Sequence, residues 1–521
     1  MRKFLSFLLC FFLFFFTINA QIVINEYSAA NYDIFLDNYG EYEDWVELFN
    51  PTATIVDLNG WALSDKSANP LKWIFPSSLI IPAGGTVLVY CSGRDELIAG
   101  NAHANFKITQ TNGNEVLMLS DIAGILQDSC RVLPNQKSQS RGRETNGSAI
   151  WSVFTNATPN ANNFGAMLEY ATTPIFSQTS GYYNAPISLT ISSPDPNVTI
   201  YYTTNGDLPN VGSTIYTGAI NIATTSVIKA IAYSSNPNIP PSFIDFNTYF
   251  INSTHTISIL SISGDQVDDL LSGWPFTNLE PEGTIEWFDK NGNLIDKGTG
   301  EYNKHGNDSW AYDQRGFDYI MRDQFGYNYA IKDKIFETKD RDKFQRIILK
   351  AAANDNFSFE DGAHIRDAYV HHLSQLADLR MDERSYAPCV VYLNGEYWGV
   401  YDLREKVDDH DFTDFYYDQS KNNLQYLKTW GGTWSEYGGP QAQTDWDNLK
   451  NYILSTPMNI QANYNIVKSQ YNTGSLIDYF LLNSYVVCSD WLNWNTGWWR
   501  GMDPNGDKKK WRYTLWDLDA T

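Results

Sequence analysis

The pattern of hydrophobic residues along this chain changes near residue 254. Before that point, short runs of β-forming residues such as IVINEYSA, DWVELFNPT and GGTVLVYCS are separated by turns rich in Gly, Asn, Pro and Asp. After it, such runs alternate with longer segments typical of helices, among them FEDGAHIRDAYVHHLSQLADL and SLIDYFLLNSYVVCSDW. The sequence therefore predicts an all-β first half and a second half that mixes strands with helices.

A chain of 521 residues is too long for one hydrophobic core, so several domains are expected. The segment AIWSVFTNATPNANNFGAMLEYATTP is rich in Asn, Thr, Ala and Pro, which predicts a linker and a boundary near residue 168. We expect a β-sandwich at 22–165, a second all-β sandwich at 170–253 and an α+β domain at 254–521. The sequence stops within that last domain, which we expect to be C-terminally incomplete.

The first residues, MRKFLSFLLCFFLFFFTINA, have the order of a secretory signal peptide: a basic start, an apolar run and a small residue at Ala20. An uncleaved N-terminal anchor is the alternative. We expect residues 1–20 to be removed, no transmembrane segment after cleavage, and a secreted or cell-surface protein. Cys91 and Cys130 fall in one expected domain, where a single disulfide is compatible with the sequence. The net charge of −23 argues against nucleic acid as a partner, because phosphate backbones attract basic surfaces.

The elements expected after residue 254 follow the order of a protein-kinase fold: a strand pair bearing a loop, a strand ending in Lys350, a helix, two strands and a helical region. In the expected helix, Ile365, Ala368, Tyr369, His372 and Leu373 share one face. Phosphoryl transfer requires a phosphate cradle, a cation on the phosphates, Mg²⁺ on carboxylate and amide oxygens, and a carboxylate that receives a hydroxyl proton. Each requirement has candidate residues in this region.

Two carboxylate motifs supply the catalytic and metal candidates. Asn495 follows Asp490 by five residues, which is the spacing of the base and the metal-binding asparagine in a kinase catalytic loop. Asp517 and Asp519 follow the strand-like YTLW, so they are candidates for sharing Mg²⁺ with Asn495. A solvated strand end is the alternative interpretation of this Asp-x-Asp.

The nucleotide-binding candidates lie on strands and turns. The segment HGNDSWAYDQRG occupies the place of a glycine-rich loop, where Gly306 and Ser309 are able to offer donors to phosphate, although a plain surface turn fits as well. Arg315 and Lys350 compete for the phosphates. The remaining two candidates are Asp367, which is placed to orient Lys350, and Glu405, which is near the expected nucleotide hinge. An ordinary strand-end lysine and a surface acid are the alternatives for Lys350 and Glu405.

Four tryptophans surround the candidate catalytic loop in CSDWLNWNTGWWR: Trp491, Trp494, Trp498 and Trp499. They do not alternate as a flat sugar-binding platform requires, so we interpret them as packing that seats the loop. A carbohydrate platform remains the alternative.

Three family resemblances follow from these motifs. IVINEY, EDWVELFNPTATIVDLNGWALSD and IPAGGTVLVYC resemble a lamin-tail domain, which implies an immunoglobulin-like fold. The run PIFSQTSGYY to VIKAIAYSS resembles the sandwich at the C-terminal end of chitobiase and hexosaminidase enzymes, a module of secreted bacterial proteins. Its tyrosines Tyr201, Tyr202 and Tyr216 are compatible with glycan contact, although cross-strand packing is the favoured role.

The third resemblance covers residues 254–521. KHGNDSWAYDQRGFDYIMRD, ILKAAANDNFSFEDGAHIRDAYVHHL, VVYLNGEYWGVYDLREKVDDHDFTDFY, DWLNWNTGWWR and WDLDAT resemble the CotH family of atypical kinases. This resemblance implies a secreted or spore-associated kinase-like enzyme that uses ATP and a divalent metal. It places Asp490 on the catalytic-loop aspartate, Asn495 on a metal ligand, and Asp517 and Asp519 on the motif that replaces Asp-Phe-Gly.

The resulting hypothesis is a secreted CotH-like kinase that transfers phosphate from Mg-ATP to a protein acceptor or cell-envelope component. Nucleotidyl transfer is compatible with the same residues. The rival is a non-catalytic adhesion or envelope scaffold, and a third interpretation is a glycan-binding accessory protein.

Overall fold

The computed structural model describes residues 22–276, 278–356 and 362–521, together with the backbone but not the side chain of residue 308. The expected signal peptide therefore lies outside the described residues. The chain divides into two compact units, of which the first contains the described residues up to 108, 112–133 and 138–166, and the second contains 109–111, 134–137 and the chain from 167 onward. Among the residues described, none of the helices has the length and apolar character needed to cross a membrane.

The first unit consists of β-strands. They are β1 (Val23–Ser28), β2 (Trp45–Phe49), β3 (Val56–Asp57), β4 (Ala62–Ser64), β5 (Trp73–Ile74), β6 (Ile80–Ile81), β7 (Thr86–Tyr90), β8 (Glu96–Ile98), β9 (Asn101–His103), β10 (Val116–Ser120), β11 (Leu126–Arg131), β12 (Ser140–Arg143) and β13 (Trp151–Phe154). One sheet has the order β13-β12-β1-β2-β7-β9-β8 and another has the order β11-β10-β4-β5. Both contribute to one buried core, for example through Ile24 and Val46 from the first sheet and Leu63 and Leu119 from the second. The all-β sandwich prediction is confirmed, and the described cysteines, including Cys91 and Cys130, are free thiols.

The second unit begins with a smaller all-β region. Its strands are β14 (Ile175–Phe176), β15 (Gly181–Tyr183), β16 (Ile187–Leu189), β17 (Ile191–Ser192), β18 (Val198–Thr203), β19 (Thr214–Ile215), β20 (Ile220–Ile222), β21 (Ser226–Ser234) and β22 (Asp245–Ile251). The main sheet has the order β15-β22-β21-β18-β19. Its core contains buried Ile228, Ala230 and Tyr249, which alternate inward along the central strands.

A seven-stranded sheet that closes on itself follows. The strands and first two helices of this region are β23 (Ser258–Ser263), α1 (Val267–Ser272), β24 (Glu282–Phe288), β25 (Leu294–Lys304), β26 (Phe317–Met321), β27 (Ile331–Lys332), β28 (Lys343–Phe344), β29 (Arg346–Lys350), α2 (Arg366–Leu376), β30 (Tyr386–Leu393) and β31 (Glu396–Glu405). The closed sheet has the order β23-β24-β25-β26-β29-β31-β30, and its interior is apolar. The predicted order of strand pair, Lys350 strand, helix and two strands is confirmed.

The small all-β region and the closed sheet share an apolar cluster. Phe250 on β22 is buried in one cluster with Ile259, Phe288, Val390 and Tyr392 of the closed sheet. Because burying an aromatic side chain stabilises by roughly 1.5–3 kcal/mol, separating the two regions would expose an important part of each. Experiments on the second half therefore need both regions in one chain.

The face of α2 that packs inward differs from the predicted one. Ala368 is buried as predicted, but Ile365, just before the helix, and Tyr369 are both 59% exposed, and Asp367 and His371 are buried instead. The apolar period was a poor guide because α2 buries two charged or polar side chains in addition to Val370, which packs in an apolar cluster with Leu515 and Leu518.

The chain ends in a helical region with a second sheet. Its elements are α3 (His410–Tyr417), β32 (Leu424–Trp430), β33 (Gly432–Tyr437), α4 (Gly439–Ser455), α5 (Gln461–Gln470), α6 (Thr473–Tyr485), β34 (Thr496–Gly501) and β35 (Arg512–Thr514). The sheet has the order β33-β32-β34-β35. Since β35 ends at Thr514, Asp517 and Asp519 lie in the irregular segment after the strand and not on it.

Candidate active site

A cavity of about 400 Å³ is lined by residues of the closed sheet and of the C-terminal region. Its volume is within the range of about 300–1,000 Å³ found for small-molecule sites. Seven of the ten predicted site residues line it: Gly306, Ser309, Lys350, Asp490, Asn495, Asp517 and Asp519. These residues are spread over more than 200 positions of the sequence, so the fold alone brings them together.

Lys350, at the end of β29, forms the centre of a buried ion-pair network. Its Nζ lies 2.5 Å from Asp517 Oδ1 and 3.2 Å from Asp367 Oδ2, and Arg404 Nη2 lies 2.6 Å from the same oxygen of Asp367. Burial alone would lower the pKa of Lys350, but Asp367, Asp517 and Asp519 outweigh it and hold the pKa above its usual value. Lys350 therefore stays protonated, and Asp367 orients it from α2.

Asp367 also fixes the segment that carries the metal candidates. Its Oδ1 accepts a hydrogen bond of 2.8 Å from Leu518 N, and His371, one turn later on α2, lies 3.1 Å from the carbonyl oxygen of Trp516 through its Nε2. His371 Nδ1 accepts from Arg384 N, which leaves Nε2 as the donor. The backbone between Asp517 and Asp519 is thus held by the polar face of α2.

Asp519 is buried, and its Oδ2 accepts a hydrogen bond of 3.0 Å from Asn354 N. Burial, followed by the charge of Asp517, raises the pKa of Asp519 to about 7. Lys350 forms its described ion pairs with Asp517 and Asp367, so Asp517 and Asp519 together are short of positive charge. Their oxygens are hard ligands. The residues present therefore fit a divalent cation such as Mg²⁺.

Asp490 and Asn495 lie in the loop before β34 and contact each other. Asn495 Nδ2 donates to Asp490 Oδ2 at 2.8 Å, and Asn495 has a left-handed backbone with φ of 47°. The tip of the β32–β33 hairpin holds this loop, because Gly431 N donates to Asn493 O at 2.8 Å. The catalytic-loop candidates are therefore fixed by a neighbouring hairpin.

The tryptophans around the loop mainly pack against neighbouring side chains. Trp498 and Trp499 are buried on β34, and Trp491 contacts Tyr479 on α6 with ring centroids 5.8 Å apart. Trp494 remains 40% exposed and meets Trp430 edge-on, so the rings do not form a flat platform.

The predicted phosphate loop, residues 305–316 between β25 and β26, borders the cavity at Gly306 and Ser309. Trp310 Nε1 donates to His305 O at 2.7 Å and to Gly316 O at 3.0 Å, which closes the loop on itself. Gly306 has φ of 90°, a conformation that glycine adopts without strain. This loop covers the cavity without matching a G-x-G-x-x-G pattern.

The structure does not bring Arg315 and Glu405 to the cavity. The Arg315 guanidinium donates to the backbone carbonyls of Trp310 and Leu271 at 3.1 and 2.8 Å, so it stabilises the loop base instead of facing phosphates. Glu405 is fully buried at the end of β31, where its carboxylate pairs with Arg341 at 3.3 Å and Lys339 at 3.5 Å. Neither side chain is placed to contact a ligand in this cavity. Of the two predicted phosphate-binding side chains, Arg315 and Lys350, Lys350 is the one that lines it.

Sequence reasoning missed a second charged group in the cavity wall, formed by Arg384, Lys406, Asp408 and Lys428. Lys428 Nζ lies 2.9 Å and Lys406 Nζ 3.6 Å from Asp408 Oδ2. No motif spacing marks these residues, which come from the segment before β30, the link after β31 and the strand β32. The one usable signal was the position of Lys406 and Asp408 directly after the expected hinge.

Three regions of the chain match known protein families. Residues 17–133 match the Lamin Tail Domain, residues 178–240 match the Chitobiase/beta-hexosaminidase C-terminal domain, and residues 303–521 match the CotH kinase protein family. A search of curated proteins found no match to this chain. The three family matches occur in the predicted order, and the residues that line the cavity all lie within the region that matches the CotH kinase protein family, called the CotH region below.

Proposed function

We propose that this protein is a secreted or cell-surface CotH-like kinase that transfers phosphate from Mg-ATP to a protein acceptor or cell-envelope component. One observation carries the proposal: Lys350 is held between Asp367 and Asp517 in a cavity that Asp490 and Asn495 also line. A cation for phosphates, carboxylates for a metal and a carboxylate for a proton are the parts that phosphoryl transfer requires.

Each of these residues has a role in the transfer. Lys350 binds phosphate oxygens of the nucleotide, and the loop of residues 305–316 covers them. Asn495, Asp517 and Asp519 would hold Mg²⁺, which when bound neutralises charge on the phosphates. The acceptor hydroxyl oxygen forms a bond to the γ-phosphorus as the bond to the ADP oxygen breaks, and Asp490 takes the hydroxyl proton.

The proposed location and glycan contact rest on other parts of the chain. The expected signal peptide supports secretion. Tyr201, Tyr202 and Tyr216 are half-buried, and Tyr202 and Tyr216 meet edge-on with ring centroids 6.3 Å apart. Tyr202 and Tyr216 pack against the core of this region, as the favoured interpretation predicted, and a glycan that assists attachment to an envelope would contact only the exposed part of each ring.

Calorimetric titration of ATP into residues 22–521, with and without Mg²⁺, tests the nucleotide site. We expect metal-dependent binding that weakens at least about 100-fold in Asp517→Ala, since charge-assisted contacts in a desolvated site are each worth several kcal/mol. The control is Asp340→Ala, which removes an acid whose side chain is 95% exposed and should bind as the wild type does. Absence of binding by folded wild-type protein contradicts the proposal and supports a non-catalytic scaffold.

A second variant separates binding from transfer. Asp490→Asn should bind Mg-ATP within about threefold of the wild type but transfer phosphate about 10²–10⁴-fold more slowly, the usual contribution of a general base. Transfer is measured with labelled ATP against envelope proteins and glycans. Unchanged transfer by Asp490→Asn would remove this residue from the catalytic role.

A further inference from the structure

Two buried side chains of the second charged group face each other across a gap. Arg384 Nη2 and Asp408 Oδ1 are 4.0 Å apart, too far for a hydrogen bond, and the two side chains are 2% and 1% exposed. Both residues line the cavity. Within the described part of the chain, Arg384 Nε and Nη2 and Asp408 Oδ1 have no hydrogen-bond partner.

The surroundings keep both groups charged and in place. Burial alone would raise the pKa of Asp408, but Lys406, Lys428 and Arg384 outweigh it and hold the pKa well below its usual range. The other carboxylate oxygen, Oδ2, already accepts from Lys428 Nζ at 2.9 Å. The Arg384 guanidinium lies over the Trp516 ring, 4.4 Å from its centroid. One oxygen and one edge of the guanidinium are therefore buried without a hydrogen-bond partner in the described part of the chain.

Leaving buried polar atoms unpaired costs about 1–3 kcal/mol for each group and more for charged ones, so the gap favours an occupant that pairs with both. The occupant must present an acceptor to Arg384 beside a donor to Asp408. The adenine edge offers this pattern, because N1 is an acceptor and the neighbouring exocyclic amine is a donor. Guanine also offers an acceptor beside a donor, at O6 and N1–H, so adenine is preferred here because ATP is the nucleotide of the proposed function.

The gap is separate from the proposed phosphate and metal residues. No described ion pair joins Arg384, Lys406, Asp408 or Lys428 to Lys350, Asp517 or Asp519, although both groups line the same cavity. A nucleotide is a ligand with two such ends, a charged phosphate chain and a flat base with a hydrogen-bonding edge.

We propose that Arg384 and Asp408 read the adenine base of the nucleotide, with Arg384 donating to N1 and Asp408 Oδ1 accepting from the exocyclic amine. This inference rests on the proposed function. Base recognition is then carried by a pair of charged side chains.

The first test changes only the ligand. Wild-type residues 22–521 are titrated calorimetrically, in Mg²⁺, with ATP, 1-deaza-ATP, purine riboside triphosphate and tripolyphosphate. Removing N1 or the amine should each weaken binding about 10–100-fold, because a buried polar group is then left unpaired. Analogues that bind within about threefold of ATP overturn the inference.

The second test changes the protein. In Arg384→Met, 1-deaza-ATP and ATP should bind within about threefold of each other, while tripolyphosphate binds as it does to the wild type. A tenfold preference for ATP that persists in a folded Arg384→Met overturns the role of Arg384. Arg384→Lys, which keeps the charge, should retain tripolyphosphate binding and lose most of the preference. Wild-type protein that binds neither ATP nor tripolyphosphate overturns the proposed function itself, so the two failures are distinguishable.

Discussion

Two regions of this molecule contain pairs of carboxylates, and the surroundings of the two pairs differ. In the first unit, Glu26 and Glu47 are fully buried and stand opposite each other on paired strands β1 and β2. In the CotH region, Asp517 and Asp519 lie beside Lys350 and line an open cavity. Buried acids are therefore not by themselves the mark of a catalytic site.

The difference lies in what satisfies the oxygens. In the first unit the fold supplies the donors: Ser140 Oγ, Thr158 N and Thr158 Oγ1 for Glu26, and Asn25 Nδ2 and Asn160 N for Glu47. At the cavity, Asp517 relies on the charge of Lys350. The donated hydrogen bonds favour the charged forms of Glu26 and Glu47 but do not outweigh burial, so the pKa of each carboxyl is raised, whereas at the cavity the cation of Lys350 pairs with Asp517 directly.

Removing the lysine should have the largest effect. Lys350→Met leaves Asp367 and Asp517 without their shared cation, and breaking a buried ion pair by removing one partner costs about 3–5 kcal/mol. We expect the free energy of unfolding of the second unit to fall by that amount in denaturant titrations. Lys334→Met is the control, because that lysine is half exposed and pairs with an exposed Asp340, so a change within about 0.5 kcal/mol is expected. If both variants lower the free energy of unfolding equally, Lys350 contributes no more to stability than a surface lysine does.

The acid pair of the first unit should respond to pH. Burial, followed by the charge of Glu26, raises the pKa of Glu47 from 4.5 to about 7. The folded state therefore binds this proton more tightly than the unfolded state does. Its contribution to stability is complete below pH 4.5 and is lost as the pH rises through 7, a change of about 3 kcal/mol.

Amide hydrogen exchange of β1 and β2 in residues 22–521, measured between pH 5 and 8 and corrected for the intrinsic rate, reports this change locally. Glu47→Gln should lower stability by an amount that does not depend on pH, because the amide nitrogen of the glutamine is a donor placed against other donors. It should also reduce the pH dependence of the free energy of opening. An unchanged pH dependence in Glu47→Gln would assign the effect to another group.

Capping of α2 links stability to the site. Asp355 accepts from the backbone N–H of Ala363, Ile365 and Arg366 at 2.6–2.8 Å, so it satisfies the start of the helix that carries Asp367. We expect Asp355→Ala to lower the free energy of unfolding by about 2 kcal/mol and to weaken Mg-ATP binding.

The matched control for this cap is Asn472→Ala at the start of α6, where Asn472 Oδ1 accepts from Ser475 N at 3.2 Å. It should cost about 1 kcal/mol and leave nucleotide affinity unchanged, because α6 carries none of the candidate residues. Equal loss of affinity in both variants would mean that general loosening, and not the position of Asp367, explains the effect.

The fold was predictable where local patterns decide it. Strands bounded by turn residues gave the all-β first half, and the hairpin from β30 to β31 follows from the Asn394–Gly395 turn. The inward face of α2 was only partly predictable from hydrophobic period, because Asp367 on that face joins the ion-pair network around Lys350 and Arg404, while Val370 packs in an apolar cluster. A polar face looks like a solvent face in the sequence alone.

The site residues were predictable where their spacing or their order along the chain matches a known catalytic pattern. The Asp490–Asn495 spacing, the Asp-x-Asp after YTLW and the strand ending in Lys350 all led to residues of the cavity. Arg384 and Asp408 were missed because their meeting depends on tertiary packing, and Arg315 was misjudged because nothing in its sequence context shows that backbone carbonyls occupy it.

The smallest expected effect concerns the backbone beside the site. Ala352 has φ of 56°, a left-handed conformation that costs an L-residue about 1–2 kcal/mol. Glycine adopts this conformation without that cost, and the gain exceeds the penalty from its larger unfolded-state entropy. Ala352→Gly should therefore raise the free energy of unfolding by about 0.5–1 kcal/mol. Ala351→Gly, at a neighbouring position outside the left-handed region, should lower it by about 1 kcal/mol, and denaturant titration measures both. If both glycines destabilise, the turn that brings Asn354 to Asp519 is not strained; if only Ala351→Gly does, strain is stored next to the proposed metal ligands.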